Sequence, residues 1–284
     1  MGIAYGKMSV AKPRQYQTNE DACMAAEGRI AVADGAGGGG VYADLWAAYL
    51  LERLPAEPIT AFGGLVAWKD AVWEPFYDER EEAARRRGGL VLRKFYAEGS
   101  FATLAAAWSA DGGRWRWMAY GDSVVFHYSR RQGVLSHSFT RLADFNKAPY
   151  LVSLVDPLVE GAFRSGTFDA EEGDTVFCAS DALSHYILME YELSRPGEYA
   201  GELAEAAGAP TRNAAMVRAA AGGKAADFGR DVVEKLWNCR NHNANFLRHA
   251  ESLLSRHVIG LDDYSCAMAR IMRGKRNKEK ERKL

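Results

Sequence analysis

The chain has 284 residues, 48% apolar and 26% charged, with a formal net charge of −1. That length and balance belong to a globular protein of one large domain or two small ones, and they exclude a disordered or collagen-like chain. The near-zero charge gives no footprint for nucleic acid, no stretch approaches the ~20 apolar residues of a membrane span, and Met1 to Ala11 lack the apolar region of a secretory signal, so a cytoplasmic protein with neither partner is expected.

Residues 1 to 18 are polar and mixed, with a short strand expected near the start. Asn19-Glu20-Asp21 leads into apolar Ala22 to Ala25, and Glu27-Gly28 reads as a turn. Ile30 to Ala33 then reads as a buried strand ending in Asp34. This is an antiparallel hairpin that brings Glu20 and Asp21 near Asp34. The glycine cluster Gly35 to Gly40 leaves room for a close backbone approach to a ligand or ion. A helix from about Val41 to Leu54 follows, with Leu45, Trp46, Tyr49 and Leu50 on its apolar face. Pro55 and Pro58 end it. A second helix is expected from about Gly64 to Arg87. Its run from Asp78 to Arg87 forms a solvated face of Glu–Arg pairs, and Gly88-Gly89 marks its end.

Ser100 to Trp108, Arg114 to Ala119, Val124 to Tyr128 and Val134 to Phe139 read as an antiparallel meander, with turns at Asp111 to Gly113 and Ser129 to Gly133. Within it, Tyr120-Gly121-Asp122-Ser123 places an acid at a kink. Residues 140 to 170 show no period and are expected to be loop. The strand Thr175 to Ala179 ends in Ser180-Asp181-Ala182 and hands over to a helix from Leu183 to Glu192. Residues 197 to 257 are alanine-rich and helical, broken near Pro210 and Gly222-Gly223, with Phe228, Val232, Leu236, Phe246, Leu247, Leu253 and Leu254 toward the core. His242, His249 and His257 lack a ligand spacing such as HExxH and read as surface or supporting residues. Asp262-Asp263 precedes the strand Cys266 to Ile271. Cys23, Cys178, Cys239 and Cys266 lie far apart and read as small core residues. With no repeat or linker, residues 1 to 272 read as one domain, and the basic run Arg273 to Leu284 as a solvated tail.

Asp34, Asp122, Asp181 and Asp262 share a pattern: each stands at a strand boundary beside Gly, Ser or another acid. Carboxylates gathered in space repel, so they call for a cation or shared protons. Mg²⁺ and Mn²⁺ take such hard oxygen ligands. Two of these ions roughly 3.5–4 Å apart bind phosphate oxygens and make a nucleophile of water. No Ser-His-Asp signature or CxxxxxR loop competes. An alternative of another class is a dinucleotide-binding oxidoreductase, because Gly35 to Gly40 matches GxGxxG between a strand and a helix. The hairpin before it and the meander after it weigh against a parallel βαβ unit.

Taken together, Asn19-Glu20-Asp21-Ala22, Val32-Ala33-Asp34-Gly35-Ala36-Gly37-Gly38, Gly121-Asp122-Ser123, Ala179-Ser180-Asp181 and Asp262-Asp263-Tyr264-Ser265 resemble, in order, the motifs of the PP2C (PPM) family of metal-dependent Ser/Thr protein phosphatases. Ser100-Phe101-Ala102-Thr103-Leu104 looks like a degenerate form of that family's Gly-Thr-Thr strand. The resemblance implies an α+β fold, an α-β-β-α sandwich of two antiparallel sheets flanked by helices. It implies two core ions, Mn²⁺ or Mg²⁺, bridged by Asp34, with the Gly35 carbonyl on one and Asp181 and Asp262 on the other. Glu20 and Asp21 would hold metal-bound waters, and Asp122 with Asp181 would form a third, weaker site. The implied reaction is hydrolysis of phosphoserine or phosphothreonine in a protein substrate, in a kinase-linked pathway, by direct attack of a metal-bridging water. The arginine that the family places four residues before its first Glu is Tyr16 here, and Arg14 is the candidate in its stead. Ser-Asp-Gly has become Ser180-Asp181-Ala182. Asp-Asn has become Asp262-Asp263, the second carboxylate being expected either to strengthen metal binding or to face solvent. The departure at Tyr16 leaves a non-catalytic domain that binds phosphoproteins or effectors as a further alternative.

Overall fold

Strand β3 (Arg29–Gly35) sets the layering. Alternation sends Ile30 and Val32 to one side and Ala31 and Ala33 to the other, and all four are fully buried. Ile30 and Val32 pack with Val176, Cys178, Ala267 and Ala269 between two sheets. Ala31 and Ala33 pack with Trp46 and Leu50 under a helical layer. A strand covered on both faces needs an unbroken apolar run, which is what Ile30 to Ala33 supplies.

The computed structural model describes residues 2–13, 18–38, 40–223 and 227–272. One sheet orders β1 (Gly2–Val10), β11 (Tyr264–Met272), β10 (Thr175–Ala179), β6 (Val124–Ser129) and β7 (Val134–His137). The other orders β2 (Asp21–Ala26), β3, β4 (Phe101–Ser109), β5 (Arg114–Tyr120) and β9 (Phe163–Asp169), and the short β8 (Val152–Ser153) also pairs with β4. Neighbouring strands in both sheets run antiparallel. Helices α1 (Ala43–Glu52), α2 (Phe62–Arg87) and α3 (Gly89–Glu98) cover the second sheet. Helices α4 (Asp181–Leu193), α5 (Pro196–Gly208), α6 (Arg212–Ala221), α7 (Glu234–Cys239) and α8 (Asn243–Ser255) cover the first. This is the expected α-β-β-α sandwich. Because β3 pairs antiparallel with β2 and β4, the parallel βαβ unit of the dinucleotide-binding alternative is absent around the glycine cluster.

Several elements differ from the sequence reading. The meander is split: β4 and β5 lie in one sheet, β6 and β7 in the other. The crossing is Gly121-Asp122-Ser123. Gly121 has φ +96°, and a Cβ there would sit 2.6 Å from the Tyr150 carbonyl oxygen and 2.7 Å from Thr103 Cγ2, so only glycine makes this turn. Residues 140–170 hold the strands β8 and β9 rather than loop alone. Past Gly88-Gly89 the chain re-enters a helix, α3, anchored by fully buried Phe95. On α1 the buried face is Trp46, Ala47, Leu50 and Leu51, and Leu45 lies off it, 38% exposed. The Glu–Arg pairs of α2 form as expected at Glu81–Arg85 and Glu82–Arg86. All four cysteines are free, Cys178 and Cys266 fully buried and Cys23 and Cys239 half-buried.

Candidate active site

Asp21 opens β2 and stands opposite Asp34 near the end of β3, while Asp34 also faces Thr103 of β4. Gly35 comes next. A Cβ there would lie 2.5 Å from the Glu20 carbonyl oxygen and 2.7 Å from that of Ala43, so glycine lets β3 end hard against Glu20 and α1. The Gly35 N–H donates to that Glu20 carbonyl at 3.2 Å. The other sheet delivers Asp181, the first residue of α4, whose backbone N–H donates to Asp34 Oδ2 at 3.4 Å. The positive end of that helix therefore faces the acids. Ser180 fixes the strand end: its hydroxyl accepts the Ser265 N–H at 3.0 Å and donates to Asp21. Asp122 arrives from the crossing between sheets, which a 2.6 Å hydrogen bond between Ser123 and Thr103 ties to β4 beside Asp34. Asp262 lies just before β11 and pairs with Lys12 at 3.1 Å.

The five aspartates Asp21, Asp34, Asp122, Asp181 and Asp262 thus meet from both sheets and feel one another. Burial, reinforced by neighbouring acids, pushes Asp21 and Asp122 up to about 8 and Asp181 up to about 6. Burial also lifts Asp34 well above the usual carboxylate range, with repulsion from Asp21, Asp181, Asp122 and Asp262 behind it. Glu20 is raised by burial against the pull of Lys12 and accepts a hydrogen bond from the Gly37 backbone. Arg164 of β9 tempers Asp122, donates to the Gly121 carbonyl and lies over the Phe139 ring.

Asp21 Oδ2 is buried with no hydrogen-bond partner. Among the described residues, no three Asp, Glu, His or Cys side chains are placed to close around one ion as they stand, so ligation would take side-chain rotation. The donor chemistry fits a hard divalent cation: crowded, half-buried carboxylates beside buried Asp21 with its orphaned oxygen.

Of the residues singled out in sequence, the structure gathers Asp21, Asp34, Gly35, Asp122, Asp181 and Asp262, with Glu20 alongside. Arg14 and Tyr16 lie outside the described residues, as does the tail from Arg273. Asp263 neither faces solvent nor points at the other acids for binding. It is 4% exposed, and its two oxygens accept the backbone N–H groups of Lys12 and Glu20, both at 2.8 Å. Lys12 and Arg164 escaped the sequence reading. Lys12 sits in an unpatterned segment, and Arg164 on a strand whose alternation is too weak to see.

No family sequence model and no curated protein sequence matches the chain. Solved structures do resemble it over nearly its whole length. The catalytic domain of the serine/threonine protein phosphatase PstP, in complex with two manganese ions, superposes with TM-score 0.52 at 16% identity, covering 95% of this chain and 99% of that one. PppA, a key regulatory component of the type VI secretion system (T6SS) in Pseudomonas aeruginosa, gives 0.52 at 18%, covering 94% and 97%. The serine/threonine phosphatase Stp1 from Staphylococcus aureus gives 0.51 at 12%, covering 96% of each. The chain therefore has the fold of the PP2C-type (PPM) Ser/Thr phosphatases.

Proposed function

We propose that the protein is a metal-dependent phosphatase acting on phosphoserine or phosphothreonine in protein substrates. The observation that carries this reading is the meeting of five strand-end aspartates from both sheets, at one end of a fold shared with Ser/Thr phosphatases. Asp34, the Gly35 carbonyl, Asp181 and Asp262 would hold two core Mn²⁺ or Mg²⁺ ions, Asp21 and Glu20 would orient their water shell, and Asp122 with Asp181 would hold a third. When bound, such ions supply a water of lowered pKa and neutralise charge on phosphate oxygens.

The chain's own residues do the positioning. The β2–β3 register sets Asp21 across from Asp34, α4 aims its N-terminus at Asp34, and the Asp263 clamp holds the backbones of Lys12 and Glu20 at the rim. Lys12, paired with Asp262, is a cation at the rim able to meet a phosphate, and Arg14 is a second candidate for that task. No helix among the described residues is long and apolar enough to cross a membrane.

The test is Mn²⁺-dependent release of phosphate from p-nitrophenyl phosphate and from a phosphothreonine peptide. Asp34→Ala and Asp181→Ala should each abolish it. Variants hydrolysing as fast as the parent would overturn the assignment. Binding of the peptide without turnover in the parent would leave the non-catalytic alternative in its place.

A further inference from the structure

β1 and β11 pair over nine residues, from Val10 opposite Tyr264 at the aspartate end to Gly2 opposite Met272 at the other. At that remote end a cleft of about 360 Å³ opens between the strands and α7. Its walls combine Ala4, Ile271, Met272 and the Trp237 ring with charged groups. These are one acid, Glu172, and three arginines, Arg130, Arg240 and Arg270.

Two of these arginines, Arg270 and Arg240, are held by their surroundings, and Arg130 is exposed at the edge. Arg270 is only 8% exposed, and its guanidinium donates to Thr175 Oγ1 at 2.9 Å and to Glu234 at 3.0 Å while lying 4.4 Å from the centre of the Trp237 ring. Arg240 lies 3.9 Å from the same ring centre and donates to the Trp237 carbonyl at 2.7 Å. Its stem rests on β1 at Gly6, where a Cβ would come within 2.8–2.9 Å of three of its carbons. Arg240 is thus oriented by a ring and a carbonyl, neither of which neutralises it. Burial acts first against the charge on Arg270, Glu234 supports it, and Arg130 and Arg240 add a smaller repulsion. With Arg270 paired to Glu234 and Glu172 on the wall, the three arginines still outnumber the acids, and an added anion would offset the excess positive charge. Guanidinium forks suit the oxygens of a phosphate, and the volume is that of a small-ligand site.

We propose that this cleft binds a small phosphate-bearing molecule with an apolar or aromatic body. The phosphate sits on Arg240 and Arg130, and the body lies against Trp237 and Ile271. The site is separate from the aspartates and does not depend on their proposed activity.

Phenylphosphonate is the probe, because its P–C bond resists hydrolysis. Calorimetric titration into the chelator-treated, full-length protein should show one site. Arg240→Gln and, independently, exposed Arg130→Gln should each weaken binding about tenfold or more. Inorganic phosphate, lacking the body, and benzoate, lacking the dianion, should each bind more weakly than phenylphosphonate. Asp34→Asn should bind it as the parent does, whether or not the protein is a phosphatase. The proposal is overturned by absence of binding at millimolar probe, or by unchanged affinity in a folded Arg240→Gln or Arg130→Gln protein. It is also overturned by benzoate or free phosphate matching the probe, or by loss in Asp34→Asn, which would put the anion among the aspartates.

Discussion

Replacing Asp263 by alanine removes the acceptor for two backbone N–H groups, those of Lys12 and Glu20, each held at 2.8 Å by a side chain that is 4% exposed. A hydrogen bond to an ionised acceptor contributes about 1.5–3 kcal/mol, and a stranded buried donor keeps its desolvation cost. Two such bonds put the loss at about 3–6 kcal/mol, overlapping the range for breaking a buried charged contact. At about 2–4 °C per kcal/mol for a chain of this size, the melting temperature should fall by roughly 10 °C. Asp263→Asn keeps the shape and one oxygen but turns an NH₂ toward the second donor, so it should fall about half as far. Thermal unfolding followed by circular dichroism measures both. An alanine variant melting within 2 °C of the parent, or an asparagine variant less stable than the alanine one, would refute the idea of a clamp.

Other predictions follow from groups that burial holds out of their usual range. Glu192 of α4 is 3% exposed, with Oε2 lacking a partner, and burial together with Glu202 raises it to about 8. The folded chain therefore binds the extra proton, so its contribution to stability is full below about pH 4 and drains away as pH rises through 8. Glu192→Gln should flatten the fall in melting temperature between pH 5 and 9, and an unaltered slope would count against it. In chelator at pH 8, Asp34→Asn should melt higher than the parent, since it deletes a carboxylate opposed by burial and four neighbouring aspartates. Added Mn²⁺ should reverse that order, and a parent that melts higher without cations would contradict the repulsion. Gly35→Ala drives a methyl into the Glu20 and Ala43 carbonyls. It should cost about 1–3 kcal/mol in urea unfolding and most of the phosphatase activity, whereas parent-like stability would show that the β3 end can yield.

What could be read from sequence was governed by where both faces of a strand are covered. Ile30 to Ala33 and Val176 to Ala179 are unbroken apolar runs because each is sandwiched between the opposite sheet and helices, and each run ends at an acid that had to remain at the cleft. The hairpin that pairs Asp21 with Asp34 was legible from its turn. Tertiary choices were not. Nothing local distinguishes a turn within one sheet from the Gly121 crossing between two. Edge strand β9 carries Gly166 and a mixed burial pattern, so its period is faint. The role of Asp263 was invisible because its partners, Lys12 and Glu20, lie more than 240 residues earlier.

The division of the acids between sheets bears on how the molecule is made. Asp21 and Asp34 belong to one sheet, Asp181 and Asp262 to the ends of the other, and Asp122 to the link. A single formed sheet already carries one close pair, Asp21 with Asp34 or Asp181 with Asp262, but leaves those carboxylates open to water. The larger cost, removal of these acids from water, arises when the two sheets close face to face, so dissolved divalent ions should hasten that closure.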